Sequence, residues 1–294
     1  MDGFLQATIW GLLQGGLLAM IAVGFSLVWG VMNVVNLTHG SYVVMGAYAA
    51  WELNSTLGLD PLLAAPIAGV TLFAIGYAVQ RILVNQIVNA PIFLTLLLTF
   101  GLQLVFVQGM VLLFSGDYRA IPTAYAGRSL ALGDVQVPYG RLIAFGIALL
   151  ATAGLVAFTR YTRTGIAILA TGMDRTAARL MGVNARHTYA LTAGLAAGLA
   201  GAAGALVGMI GFFSPPAAPT YTLLSFVVAV LGGLGNMYGA LVGGLLLGVV
   251  QAWAGHFVGG TWMNVFAFAA LVLVLAVRPA GLVGKAYYEA RVEA

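Results

Sequence analysis

Three histidines (His39, His187, His256) and eight carboxylates are the side chains of this sequence best able to hold a metal or carry a proton. Their spacing serves neither purpose. The histidines stand singly, far from the few-residue separations that a helical zinc site needs, so no metal ligand set can be named. The acids are Asp2, Glu52, Asp60, Asp117, Asp134, Asp174, Glu289 and Glu293, all at segment ends or in polar links. A proton- or sodium-coupled carrier would keep an ionisable group inside the bilayer. Among the intramembrane segments only His39 and His256 qualify, and the apolar spans offer no charged selectivity group. Ser26 follows Gly24-Phe25 but precedes Leu27-Val28, so it makes no nucleophile elbow. Gly284-Lys285 lacks both the upstream glycine spacing and the Ser or Thr of a phosphate-binding loop. The sequence therefore supports no catalytic residue and no cofactor bound by this chain. Any ATP that drives it belongs to a separate subunit.

The elements that must position the remaining polar residues are apolar helices. Of 294 residues, 62% are hydrophobic and 7% charged, with a mean hydropathy of +1.02. A soluble surface needs about 25% charged residues, so the chain is an integral membrane protein. No charge occurs from Gly3 to Trp51 or from His187 to Val277. Runs such as LIAFGIALLATAGLVAF do not alternate as barrel strands would, which selects helices. The expected fold is an all-α polytopic bundle of about 8–10 transmembrane helices, some broken or short, in two structural halves. It forms one domain over residues 1–294. There is no cysteine, so disulfide and thiol chemistry are excluded.

Spans are expected near 5–29, 41–53, 62–82, 92–114, 141–159, 188–212, 221–231, 240–257 and 262–277. Between them lie GVMNVVNLTHG (30–40), NSTLGLDP (54–61), NQIVNAP (85–91), a long polar loop (115–140), SPPAAP (214–219) and GGLGNMYG (232–239). Arg160, Arg163, Arg175, Arg179 and Arg186 crowd into residues 160–187 with one acid, Asp174. The positive-inside rule places this island in the cytoplasm, with residues 82–91 near Arg81 and the tail carrying Arg278, Lys285 and Arg291. The nearly balanced loop 115–140 faces outside, as do 54–61 and 213–219. Two spans before residue 54 put the N-terminus outside; a third would put it inside. The same rule accounts for the basic pI without nucleic acid.

Within GMDRTAARLMG, Ala177, Ala178 and Leu180 favour a short helix that Gly182 can end in a left-handed conformation. Arg175 and Arg179 then stand one turn apart. Such a helix, tied at both ends to spans, can transmit a push; a basic loop that only sets topology and binds anionic lipid is the plainer alternative. Small residues at i, i+3 and i+4 in GLAAGLAGAAGALVG and GALVGGLLLG suit close helix packing, or a glycine-lined pore wall. Helix breaks in both halves point to a solute path, where Asn33, Asn36, Thr38, His39 and Asn236 could supply donors and acceptors, or could merely satisfy the breaks.

Thr176–Gly182 resembles the Glu-Ala-Ala-x-x-x-Gly coupling loop of bacterial ABC importer permeases, with Thr176 where Glu is usual. GVMNVVNLTHG is similar to the Asn-x-Ala-His-Gly segment of branched-chain amino acid permeases of the LivH type, with Thr38 at the Ala position. GGLGNMYGALVGG and RPAGLVGK also resemble that family, and the motifs occur in its order over nearly the whole chain. The resemblance implies a multi-pass subunit of the bacterial inner membrane that imports amino acids, branched-chain or otherwise hydrophobic. It implies a LivM-like second permease, two LivG/LivF-like ATPases that bind ATP and magnesium, and a periplasmic binding protein. It also implies that residues 160–187 are the coupling loop, with Asp174, Arg175, Thr176, Ala177, Ala178, Arg179 and Gly182 contacting the ATPase. A passive channel for a small polar solute is the competing reading.

Overall fold

The computed structural model describes residues 2–284 except 124, 126, 133 and 134. Lys285, Glu289, Arg291 and Glu293 of the tail, and Asp134 of the long loop, lie outside the described residues. The chain is a helical bundle. α1 (Asp2–Met32) has 31 residues and is followed by the non-helical segment 33–38 and α2 (His39–Leu57). α3 (Pro61–Val79) runs through a π-helical turn into α4 (Asn85–Ile87). α5 (Ile92–Phe114) leads to a two-stranded antiparallel hairpin, β1 (Ser129–Leu132) and β2 (Val135–Pro138). α6 (Tyr139–Tyr161), α7 (Arg163–Met173), α8 (Arg175–Leu180) and α9 (Ala185–Ile210) follow. A 3₁₀ turn then opens α10 (Ala218–Gly232), and α11 (Met237–Phe257) and α12 (Met263–Val277) complete the bundle.

Eight of these helical spans are long and apolar enough to cross a membrane. That agrees with the expected polytopic bundle. α2 is not among them; its polar residues His39, Glu52 and Asn54 cost it the required hydropathy. The first break is shorter than the sequence suggests, because α1 continues to Met32. The long loop is not wholly irregular, since its hairpin buries the Val135 and Val137 side chains against Leu13 of α1 and Phe145 of α6. The island is more helical than a loop: α7 alone has 11 residues.

Glycine sets which helices meet. α1 and α11 run antiparallel, and a Cβ at Gly11 would lie 2.6 Å from the Val249 Cα, one at Gly15 2.7 Å from the Gly244 carbonyl oxygen. α9 makes a similar seam with α2. A side-chain carbon at Gly204 would overlap the Val43 carbonyl, and one at Gly46 the Gly201 carbonyl. Lipid supplies no hydrophobic force between helices, so this backbone approach is what holds the pairs. α1 and α9 are the central helices: 89% and 78% of their most apolar windows are buried, against 17% for α5 and 6% for α12. The last two therefore present apolar faces to lipid.

Candidate functional site

Two regions gather the polar residues that the sequence singles out. The first is the junction of the breaks around α2 and α10. Asn33 ends α1 with φ +53°, a left-handed conformation that Asn tolerates, and its backbone N–H still reaches the Trp29 carbonyl at 2.8 Å. The chain then folds back along α1. Asn36 Oδ1 accepts from the Thr38 N–H at 3.1 Å and from the Thr38 hydroxyl. His39, fully buried, donates from Nε2 to the Ile21 carbonyl at 2.9 Å, eighteen residues back. α2 thus starts partway along α1, at the level of Ile21 rather than of Met32.

α10 begins at the same place. The Thr222 hydroxyl accepts from the Gly40 N–H and donates to the Leu37 carbonyl, both at 2.9 Å. A Cβ at Gly40 would overlap the Ala218 carbonyl. Two helix starts from opposite halves therefore pack backbone to backbone, and the Thr222 hydroxyl satisfies groups that lipid could not. The His39 Nδ1 and the Ser41 hydroxyl remain buried without a protein partner among the described residues. Thr222 was not singled out by sequence, since a threonine 182 residues from its partner carries no local signal.

Asn236 does not join this junction. It caps α11, accepting from the Tyr238 and Gly239 N–H groups at 3.0 and 3.1 Å, and donates to the Val283 carbonyl at 3.1 Å. Its neighbour Gly235 packs on Gly30, at the far end of α1 from Asp2. Asn33, Asn236 and the described part of RPAGLVGK thus cluster at the island end, while Thr38 and His39 lie deeper. Leu282 and Val283 continue that cluster by donating their N–H groups to the Leu231 and Gly232 carbonyls.

The second region is the island. Thr162 caps α7, its hydroxyl accepting from the Gly165 N–H at 3.0 Å. A Cβ at Gly172 of α7 would lie 2.8 Å from the Gly30 carbonyl, so α7 packs on the end of α1. Asp174 caps α8, accepting from the Thr176 and Ala177 N–H groups at 2.8 and 2.9 Å. An Asp at this position also meets the positive end of the helix dipole. Ala178 is buried beneath α8. Gly182 follows with φ +86°, and the Val183 N–H returns to the Ala178 carbonyl at 3.0 Å. That is the left-handed termination glycine allows.

The arginines divide. Arg175 is partly buried, hydrogen-bonded to Asn89 Oδ1 and placed 5.5 Å over the Tyr189 ring. Arg160 sits 4.9 Å over the Tyr238 ring. Arg163, Arg179 and Arg186 are exposed, as is Thr176. Asn89 and Asn85, from the link before α5, fasten the island from the side; the Asn85 amide donates to the Arg186 carbonyl at 2.8 Å. Around α8, Met173, Leu180 and Met181 are 89%, 84% and 85% exposed. Three apolar side chains held this far into solvent on an ordered, charged projection form a surface that a partner could cover.

No cluster of metal-binding side chains occurs among the described residues. The comparisons with known proteins agree with the architecture. The family model described as "Branched-chain amino acid transport system / permease component" matches residues 8–275. The high-affinity branched-chain amino acid transport system permease protein BraD of Pseudomonas aeruginosa is 32% identical, over 96% of both chains. The corresponding permease protein LivH of Salmonella typhimurium is 30% identical, again over 96% of both. The inner membrane ABC transporter permease protein YjfF of Escherichia coli is 28% identical over 92% of this chain and 82% of its own. No solved structure gives a significant match. Eight membrane-capable helices, glycine-seamed packing and similarity running over nearly the whole length place this multi-pass membrane protein in the branched-chain amino acid transport permease family.

Proposed function

We propose that this chain is a membrane-spanning subunit of an ATP-driven importer for amino acids, branched-chain or otherwise hydrophobic. In this reading a periplasmic binding protein delivers the solute, a LivM-like permease completes the pore, and two LivG/LivF-like ATPases hold ATP and magnesium. Two relatives, BraD and LivH, bear names that specify branched-chain amino acids, which supports that substrate class. The observation that carries the reading is the island: a capped helix with Met173, Leu180 and Met181 uncovered, anchored by α7 to the end of α1.

The mechanism follows from those attachments. A motor that moves α8 would move α7 through Asp174, and α7 bears on Gly30, beside Gly235 of the opposite half. A displacement there reaches both long helices, α1 and α11, at once. The solute path between them would open and close as the halves rock. Asp174, Arg175, Thr176, Ala177, Ala178, Arg179 and Gly182 form the coupling element in this account, with Ala178 seating it on the bundle.

The test uses the absence of native cysteine. With Leu180→Cys in the assembled complex, a short thiol cross-linker should join this chain to an ATPase subunit. Leu57→Cys, at the far end of α2, should not. A Leu180 cross-link to no subunit, under conditions where ATP-driven uptake is intact, would remove the island from the coupling role.

A further inference from the structure

At the end of the bundle opposite the island, two cavities share a wall. The larger, about 500 Å³, lies among Gln6, Trp10, Gln251 and His256. The smaller, about 190 Å³, runs inward past Leu17 to Ile21 and Tyr221. Gln14 and Arg141 line both. The inner end is the helix junction, because Ile21 holds His39 and Tyr221 precedes Thr222.

Arg141 is the residue that the cavities cannot be understood without. It opens α6, just before 18 residues without charge. Its guanidinium lies 4.6 Å over the Trp10 ring, and no described carboxylate pairs with it. Trp10 is itself fixed, donating from Nε1 to the Gln136 carbonyl at 3.1 Å. Gln6 clamps the same residue, donating to the Gln136 carbonyl at 2.7 Å and accepting from its N–H at 2.8 Å. The β-hairpin thus holds the aromatic platform on which Arg141 rests. An arginine stacked on one face keeps its N–H edges free, and that planar fork matches a carboxylate. Ionisable side chains within membrane-spanning segments mark solute pathways, and Arg141 is the third residue of such a span. The neighbouring Gln14 amide offers a neutral acceptor for an ammonium group, and Leu17, Leu18 and Val207 an apolar wall.

We propose that Arg141 receives the carboxylate of the transported solute in an outer binding site, before the solute passes the helix junction. This rests on the amino-acid importer reading. The anionic headgroup of a lipid shares the chemistry of a carboxylate at Arg141, and the test separates the two.

The full complex is placed in membrane vesicles with Ala252→Cys, on α11 in the larger cavity, as reporter; Ala7→Cys, which lines the same cavity from α1, serves if the first fails to insert. Methanethiosulfonate reagents of opposite charge are added from the outer side. The anionic reagent should react faster than the cationic one by on the order of tenfold, as expected for one nearby unit charge in a partly wet site. Arg141→Gln should abolish the preference and Arg141→Lys should keep part of it. L-leucine should slow labelling, whereas leucinol, which lacks the carboxylate, should not. Equal rates for both reagents, or no protection by leucine because lipid holds the site, overturns the proposal. ATP-driven leucine uptake by the unaltered chain is measured alongside. Its presence without anion preference or leucine protection sinks the Arg141 site alone; its absence sinks the importer reading and the site with it.

Discussion

Reversing two charges of the island, Arg175→Glu with Arg179→Glu, is expected to cut ATP-driven uptake at least about tenfold while insertion and ATP hydrolysis persist. A tenfold loss corresponds to ~1.4 kcal/mol in the rate-limiting step, which breaking these contacts can supply. Arg175 is tied to Asn89 and lies over Tyr189, so a carboxylate there loses a charge-assisted hydrogen bond and a cation–π contact together. Arg179 is exposed and its reversal acts on the partner alone. Gly182→Val should give a similar loss by a different route. Nothing lies within 4 Å of a Cβ at Gly182, so crowding plays no part. The cost is the left-handed backbone at φ +86°, about 1–2 kcal/mol for a residue with a side chain. Relief of that strain unwinds the end of α8 and misplaces Leu180 and Met181. The checks are solute uptake and phosphate release in the same vesicles, with surface labelling to confirm insertion. Unchanged uptake in both variants counts against the coupling role.

Gly204→Val is expected to produce the largest loss of stability. The new side chain would overlap the Val43 carbonyl and crowd the Ala47 N–H, so α2 could not stay against α9. Overpacking costs about 3 kcal/mol where backbone cannot yield, and here both neighbours are backbone. α2 carries His39 and Gly40 into the junction, so its displacement would remove the contacts to Ile21 and Thr222 as well. Gly101→Val is the control, since Gly101 has open space around it on the lipid-facing α5. Thermal unfolding in detergent, followed by the monodisperse fraction on size exclusion, should drop sharply for Gly204→Val and little for Gly101→Val. Equal behaviour of the two would show that the α2–α9 seam does not hold the fold.

Features that depend on local sequence were legible before the structure. Charge-free runs located the spans, and the Ala-Ala pair with Gly182 foretold the short helix now seen at Arg175–Leu180. The glycine spacing in α9 foretold close packing, and the Gly204 contact with Val43 has that form. Features that depend on distant residues were not legible. The Thr222 hydroxyl bridges segments 182 and 185 residues away, and no periodicity encodes such a pairing. Arg141 was not singled out by sequence; only the fold sets it over Trp10, in a cavity with Gln14. Asn236 was expected to lend donors and acceptors to a solute path from the second half, as Asn33, Asn36, Thr38 and His39 would from the first. The structure uses it as a helix cap near Gly30 instead, since the breaks lie at different depths.

The central claim is that solute crosses only when a separate motor moves this subunit. Leucine flux into liposomes tests it most directly, with the chain and its second permease reconstituted alone and then with both ATPases and the loaded binding protein. The account predicts uptake in the complete assembly that requires ATP and stops with a non-hydrolysable analogue, and no flux above empty liposomes without the ATPases. Leucine flux down its gradient through the permeases alone, unchanged by ATPases and ATP, would contradict it and identify a passive channel.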